Sequence, residues 1–425
     1  MKRVSAGMLK NGFRFYTQLD TRAHVSGIGV KVGSIHDPTG LVGGICHRGM
    51  CHLVEHVLGG YSRKDELKFE EYLCGPEENI NIRVDHSSTF YGHGMLLRRE
   101  YVLELFEIIT RGLKEPVINQ EALKRERAAV LNEYYLHGID AMESHIHDLI
   151  HQAMYERNPA KNRIDCEPDE LFQISVDDIR RFIASYYVPN NMFAVILGTP
   201  FRKVKRIAEE LFGELPSRQI PQLAYDFSDT RPILTTPKII EMERKGIHQY
   251  HVAVGFPTNP YGSKDDEALE VLSHIWRWRL REVLRGQNYE WGGGTYRALK
   301  FIPHSFVHGM IYITFATPST DFARAGIDRI IAECDSLKTQ KAPSDEFNAM
   351  WKKVYNNYVE DFEIAPEQLS ERIIEAAANG DEDMHRLNSF LGRLSNVTRK
   401  RVMRAANEYF TTPNYVAIII KPAPE

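Results

Sequence analysis

The sequence predicts an α+β protein made of two structurally similar halves, and three observations predict it. Strand-like and helix-like segments are mixed, without the strict alternation of a doubly wound parallel sheet. A proline-rich stretch near the middle carries few apolar periods and reads as a linker. The residues beyond it repeat features of the residues before it at a constant spacing of 223 positions.

The first strand comes from Val25, Ile28, Val30 and Val32, which mostly alternate and are closed by Gly33. Gly27 and Gly29 within it do not make a dinucleotide-binding loop, because the third glycine and the strand-then-helix order are missing. Helical periods follow over Met50–Leu58, Arg99–Gly112, Glu121–Leu136, Ala141–Tyr155 and Asp177–Tyr186. Further strands are expected at Asn79–Val84, Thr89–Met95 and Phe193–Leu197, the last bounded by Pro189-Asn190-Asn191 and Gly198. Pro216, Pro221, Pro232 and Pro237 mark the linker, residues 216–238, between halves at 1–215 and 239–425. Across it, Ile174-Ser175, Ile179, Tyr186-Tyr187 and Ala194 match Val397-Thr398, Val402, Tyr409-Phe410 and Ala417. The strand ending at Gly33 has a counterpart expected to end at Gly255.

Composition narrows the function. With 425 residues, 43% hydrophobic and 26% charged, the chain is globular and large enough for more than one core. A net charge of -4 and the lack of a strongly basic patch argue against nucleic acid as a partner. The 5 cysteines are irregularly spaced with no CxxC pair, which argues against a disulfide framework and for a reducing compartment. The first residues contain no apolar core of signal-peptide length, and no apolar run reaches the roughly 18 residues of a membrane span. A cytoplasmic protein with no membrane partner is the expectation.

The segment that carries chemistry is His52-Leu53-Val54-Glu55-His56. On a helix, positions i, i+3 and i+4 share a face, so His52, Glu55 and His56 project together while Leu53, Val54 and Val57 pack. Two neutral imidazoles suit zinc, and a carboxylate between them reaches a water beside the metal without ligating it. The order H-x-x-E-H is the reverse of H-E-x-x-H. Catalytic zinc usually takes a third protein ligand and keeps one open position. Helix Glu121–Leu136 offers Glu126 and Glu133, seven apart on one face; spacing alone does not choose between them. Cys51 points about 100° from His52 around the helix and is read as a packing residue. His145, His147 and His151 form a second histidine cluster, read as a solvated helix face because no spaced carboxylate accompanies it.

The stretch Gly49–Gly60 (GMCHLVEHVLGG) resembles the G-x-A-H-x-x-E-H signature of the pitrilysin/insulinase family of zinc peptidases, which includes the mitochondrial processing peptidases. In that family two glutamates seven apart follow some 70–77 residues on, as Glu126 and Glu133 do after His56. Asn81-Ile82-Arg83-Val84 with Thr89-Phe90-Tyr91 is similar to the family's N-A-x-T…T-x-Y segment, and Tyr187–Met192 to its Y-x-P-x-N-M turn. Three departures stand out: Cys51 in place of the small residue before the first histidine, Val84 in place of the strand Thr, and a longer loop at Gly43–Arg48.

The resemblance implies two α+β halves, each a mainly antiparallel sheet with helices, enclosing a cavity. It implies one Zn2+ per chain held by His52, His56 and Glu133, with Glu126 supporting and Glu55 acting on the water. The implied reaction is endopeptidase hydrolysis of short or unfolded peptides. Asn81 would fix the register of a peptide paired to the Asn79–Val84 strand. The second half looks catalytically empty, because His52, Glu55, His56 and Glu133 become Ile275, Trp278, Arg279 and Asn356 at the repeat spacing. It would supply Arg285 and either Tyr296 or Tyr289 to the substrate. A homodimer, or a heterodimer with a related subunit, is the implied assembly. The competing reading is a non-catalytic partner subunit, which such chains become by losing motif residues; none of the four is lost here.

Overall fold

The structure is a computed structural model. It describes all residues except 1–2, 20–23, 38–47, 61–62, 73–79, 94–98, 140–141, 156–158, 165–166, 222–233, 235, 286–299, 303–308, 412–413 and 425. Up to the linker the chain forms β1 (Ser5–Met8), β2 (Arg14–Thr17), β3 (Ser26–Val30), α1 (Met50–Gly59), α2 (Arg63–Tyr72), β4 (Ile80–Val84), β5 (Thr89–His93), α3 (Arg99–Lys114), α4 (Gln120–Ile139), α5 (Met142–Met154), α6 (Pro168–Leu171), α7 (Val176–Tyr186), β6 (Met192–Ile196) and α8 (Phe201–Phe212). After it come β7 (Lys238–Arg244), β8 (Tyr250–Pro257), α9 (Asp266–Arg285), β9 (Lys300–Ile302), β10 (Met310–Thr317), α10 (Thr320–Thr339), α11 (Ser344–Glu363), α12 (Pro366–Ala378), α13 (His385–Leu394), α14 (Arg399–Tyr409) and β11 (Val416–Pro422).

The strands make two sheets of the same plan. The first has the order β1-β2-β6-β3-β5-β4 and the second β7-β11-β8-β10-β9. In each, one pair is parallel, β2 with β6 and β7 with β11, and the remaining pairs are antiparallel. The repeat read from the sequence therefore runs through the whole fold. The same offset carries α3 into α10, α4 onto α11, α5 onto α12 and β5 into β10, and it superposes the bounds of α7 and α14. Even the caps correspond: Ser175 Oγ accepts from the Asp178 amide, and Thr398 Oγ1 from the Arg401 amide.

The compact units, however, are not contiguous in sequence. The first comprises Met1–Tyr134, Asn162–Tyr225 and Tyr358–Ser389; the second comprises Tyr135–Lys161, Asp226–Asn357 and Phe390–Glu425. Helix α5 precedes the linker yet lies against β8 and β11, and α12 follows the linker yet lies against β6. Both faces of each sheet are thereby covered. In the second unit Val252, Val254 and Phe256 point into the core under α9, α10 and α14. The alternate positions of β8 face α5 instead, where Ile150 meets Gly255. In the first unit the corresponding core holds Ile28, Val30, Leu105, Phe106 and Ile109. The middle of the linker, 222–233, lies outside the described residues.

Two strand glycines have packing roles. Gly255 does not end its strand: β8 continues to Pro257, and Gly255 pairs with Tyr312 and Val416. A Cβ there would stand 2.5 Å from Ile150 Cδ1, so its absence lets α5 close on the sheet. Gly29 lies under the ring of Phe193 on the adjacent strand, where a Cβ would come within 2.1 Å of that ring. The other strand and helix ranges read from the sequence agree with those observed to within a few residues at each end. Cys51 and Cys334 are buried free thiols; Cys46, Cys74 and Cys166 lie outside the described residues. Among the described residues no helix is long and apolar enough to cross a membrane.

Candidate active site

Helix α1 carries two faces by its own sequence. Met50, Leu53, Val54, Val57 and Leu58 recur at helical spacing and enter the first unit's core. His52, Glu55 and His56 occupy the other face, and His52 and Glu55 are nevertheless buried. Helix α4 begins at a cap, where Asn119 Oδ1 accepts from the Ala122 amide at 2.9 Å. Its apolar side, with Ala122, Leu123 and Val130, is buried, and Arg127 ties it to the Ile174 carbonyl. This leaves Glu126 and Glu133 two turns apart on a face turned toward α1.

The side chains converge. His52 Nε2 and His56 Nε2 are 3.2 Å apart. Glu133 Oε2 lies 3.2 Å from His52 Nε2, and Glu133 Oε1 lies 3.3 Å from His56 Nε2. Donors bound tetrahedrally to zinc at about 2.0–2.1 Å stand about 3.3 Å from each other, so this donor set fits the ion. Glu55 Oε2 lies 3.8 Å from both Nε2 atoms, farther from each imidazole than Glu133 is. Glu126 sits on the far side of His56, with Oε2 3.8 Å from Nδ1, and its other oxygen accepts from Arg125 Nε at 2.7 Å. The structure thus separates the two glutamates that spacing left equivalent.

Charge in the cluster follows from this geometry. Burial pushes the Glu55 carboxyl up, more than the imidazoles pull it down. Burial also penalises a charged His56, yet Glu126, Glu133 and Glu55 hold it up at about 9. For Glu133 burial is outweighed by the two imidazoles, which keep it well below the usual carboxylate range. Glu126 is lowered too, by His56 and Arg125 against its burial. Nearby, Tyr91 and Tyr187, both from segments quoted above, share a hydrogen bond of 2.8 Å between their hydroxyls. Burial first, and then neighbouring groups including Glu55, keep both phenols neutral.

Asp37 escaped the sequence reading. Its buried carboxylate accepts from the Gly49 amide through Oδ2 at 2.7 Å and from the Cys51 amide through Oδ1 at 2.8 Å, capping α1. Burial raises its pKa to about 7 against these hydrogen bonds. No local signal could have found it, because its partners lie twelve and fourteen positions further along. Cys51 is a packing residue as expected, buried with its Sγ donating to the Gly33 carbonyl at 2.9 Å.

The remaining expected residues are less completely placed. Asn81 is in β4, paired with Gly92, but its side chain lies outside the described ones. Arg285 is the last residue of α9, again without a described side chain, and Tyr296 and Tyr289 lie outside the described residues altogether. The rings of His147 and His151 lie against each other, tilted by 36° with centroids 4.3 Å apart, and His151 is buried with Nδ1 3.2 Å from the Ala160 carbonyl oxygen. The solvated face expected for that cluster is corrected at His151, because α5 lies on the second sheet. On α1 itself, His52, Glu55 and His56 form a group of potential metal ligands whose donor atoms lie within 4.8 Å of one another.

Residues 14–167 match the family described as Insulinase (Peptidase family M16), and residues 173–354 match the Peptidase M16 inactive domain. The chain belongs to peptidase family M16. The uncharacterized zinc protease YmxG of Bacillus subtilis is 20% identical to this M16 chain over 97% of both. The probable mitochondrial-processing peptidase subunit alpha of Schizosaccharomyces pombe is 25% identical over 52% of this chain, an alignment that spans 43% of the relative. A Helicobacter pylori protease structure shares the fold at a TM-score of 0.83 and 16% identity, covering 99% of this chain and 100% of that one. In this M16 chain the inactive-domain match includes α9. There Ile275 is buried and Trp278 exposed, and Arg279 is held by Glu346 at 2.7 and 2.8 Å and by Glu333 at 2.8 Å. An ion-paired arginine thus occupies the repeat position of His56, and apolar residues occupy those of His52 and Glu55.

Proposed function

We propose that the chain is a zinc metalloendopeptidase that hydrolyses short or unfolded peptides. The observation that carries this reading is the placement of Glu133 within 3.3 Å of both imidazoles while Glu55 stands 3.8 Å from each. His52, His56 and Glu133 would hold one Zn2+; relatives named as zinc proteases support a zinc site in general terms, and the geometry supports these three residues. Zinc bound there would lower the pKa of a water toward about 7 and polarise the scissile carbonyl. Glu55 takes the attacking water's proton and delivers it to the leaving amine nitrogen. Its burial, which raises its affinity for a proton, suits it to that exchange. Glu126 orients His56 through the imidazole's other side. The peptide adds to the first sheet at β4, its edge strand among the described residues and the strand against which α1 lies, with main-chain pairing setting its direction and Asn81 its register.

Assembly follows the same reading: a homodimer, or a heterodimer with a related subunit, as relatives named for alpha and beta subunits of the mitochondrial-processing peptidase suggest. The buried free thiols of Cys51 and Cys334 fit a reducing, cytoplasmic setting. A mixed library of unstructured peptides tests the activity. Cleavage is expected, should stop when a chelator removes the metal, and should return when zinc is added back. Chain that carries zinc and cuts nothing in such a library would instead be a non-catalytic subunit.

A further inference from the structure

The N-terminal end of α1 is tied down by an acid that no motif contains. The first four amides of a helix have no partner within it, and a carboxylate placed there gains from both hydrogen bonding and the helix dipole. Asp37 takes two of those amides at once, with one oxygen on Gly49 and the other on Cys51, the residue directly before His52. A single-oxygen cap lets a helix pivot about the bond; two oxygens on two amides fix its rotation as well as its start.

The segment bearing Asp37 is itself anchored. Ser34 and Ile35 donate their amides to the carbonyls of Asp85 and His86 at 3.0 and 3.1 Å, on the turn between β4 and β5. That turn is closed by the Asp85 amide on the Ser88 carbonyl at 2.8 Å. Cys51 Sγ adds a bond from the helix back to Gly33. A continuous series of hydrogen bonds therefore runs from the β4–β5 hairpin through residues 33–37 to the first turn of α1.

We propose that Asp37 is a positioning residue for the metal site, setting the rotation and axial register of α1, and so of His52 and His56, relative to the β4–β5 hairpin. The inference rests on His52, His56 and Glu133 being the metal ligands. Functional constellations tolerate only about 0.5 Å and 10–20° of displacement, so a helix released at this end presents its two imidazoles to Glu133 less often. Groups that orient ligands from outside the coordination sphere are typically worth 10–100-fold in metal affinity.

The test is zinc affinity, measured by competition with a chromophoric chelator, beside thermal stability, on the full chain. The variants are Asp37→Ala, Asp37→Asn and Thr398→Ala; the last removes a side-chain helix cap, that of α14, in the other unit and away from the site. Asp37→Ala should bind zinc about 10- to 100-fold more weakly. Asp37→Asn, which keeps one acceptor, should fall between it and wild type and decides the matter if the alanine variant does not fold. Thr398→Ala should lose thermal stability with its zinc affinity unchanged. Asp37 variants that melt lower yet bind zinc as wild type does overturn the proposal and leave a plain helix cap. Wild-type chain that takes up no zinc is a different result, and it ends the ligand assignment and this inference together.

Discussion

Glu55→Gln is expected to leave one zinc per chain and to lower peptide hydrolysis by about 100- to 10,000-fold, the range that a general acid–base residue supplies. The variant keeps the shape of the side chain and its place on α1, 3.8 Å from each imidazole Nε2. It cannot accept a proton. The metal ligands are untouched, and the buried amide replaces a carboxyl whose burial already disfavours its charge, so the fold should tolerate the change. Initial rates on a quenched-fluorescence peptide mixture, with metal content measured on the same samples, check the prediction. A variant that retains more than about a tenth of the rate would remove Glu55 from the proton-transfer step.

Expressing either half without the other should be at least as damaging, for a reason of packing. Residues 1–215 expressed alone would contain α5 without β8 and β11, exposing Ile146, Leu149, Ile150, Ala153 and Met154, all buried in the intact protein. They would also lack α12, which lies against β6. Residues 239–425 would have the converse defect. Each large aliphatic side chain left in water forfeits about 1.5–3 kcal/mol, so a handful removes most of a typical domain's 5–15 kcal/mol. Each piece alone should accumulate in the insoluble fraction, and the two expressed together should yield soluble protein. Two pieces that are separately soluble and melt cooperatively would show that the exchanged helices contribute little.

How far the sequence could be read depended on the range of each interaction. The bounds of α1 and α7 were legible because helical periodicity is local. The two-half plan was legible because a constant offset survives with almost no insertions. The cluster on α1 was legible because three residues within five positions share one face. Choosing Glu133 over Glu126 was beyond spacing, since residues seven apart share a face and only the placement of α4 beside α1 separates them. Which sheet α5 and α12 cover was equally hidden, because an apolar helix face does not name its partner. Gly255 misled for the same reason: what makes it a glycine is Ile150, over a hundred positions earlier. Asp37 acts on amides twelve and fourteen positions further along and looks like any other aspartate until those amides are found.

The central claim is that one cation is shared by His52, His56 and Glu133, and zinc content after exhaustive dialysis tests it most directly. Wild type and Glu55→Gln should each retain about one zinc per chain, while Glu133→Gln, which exchanges an anionic ligand for a weak neutral one, should retain almost none. Glu133→Gln that holds a full equivalent as firmly as wild type would contradict the account.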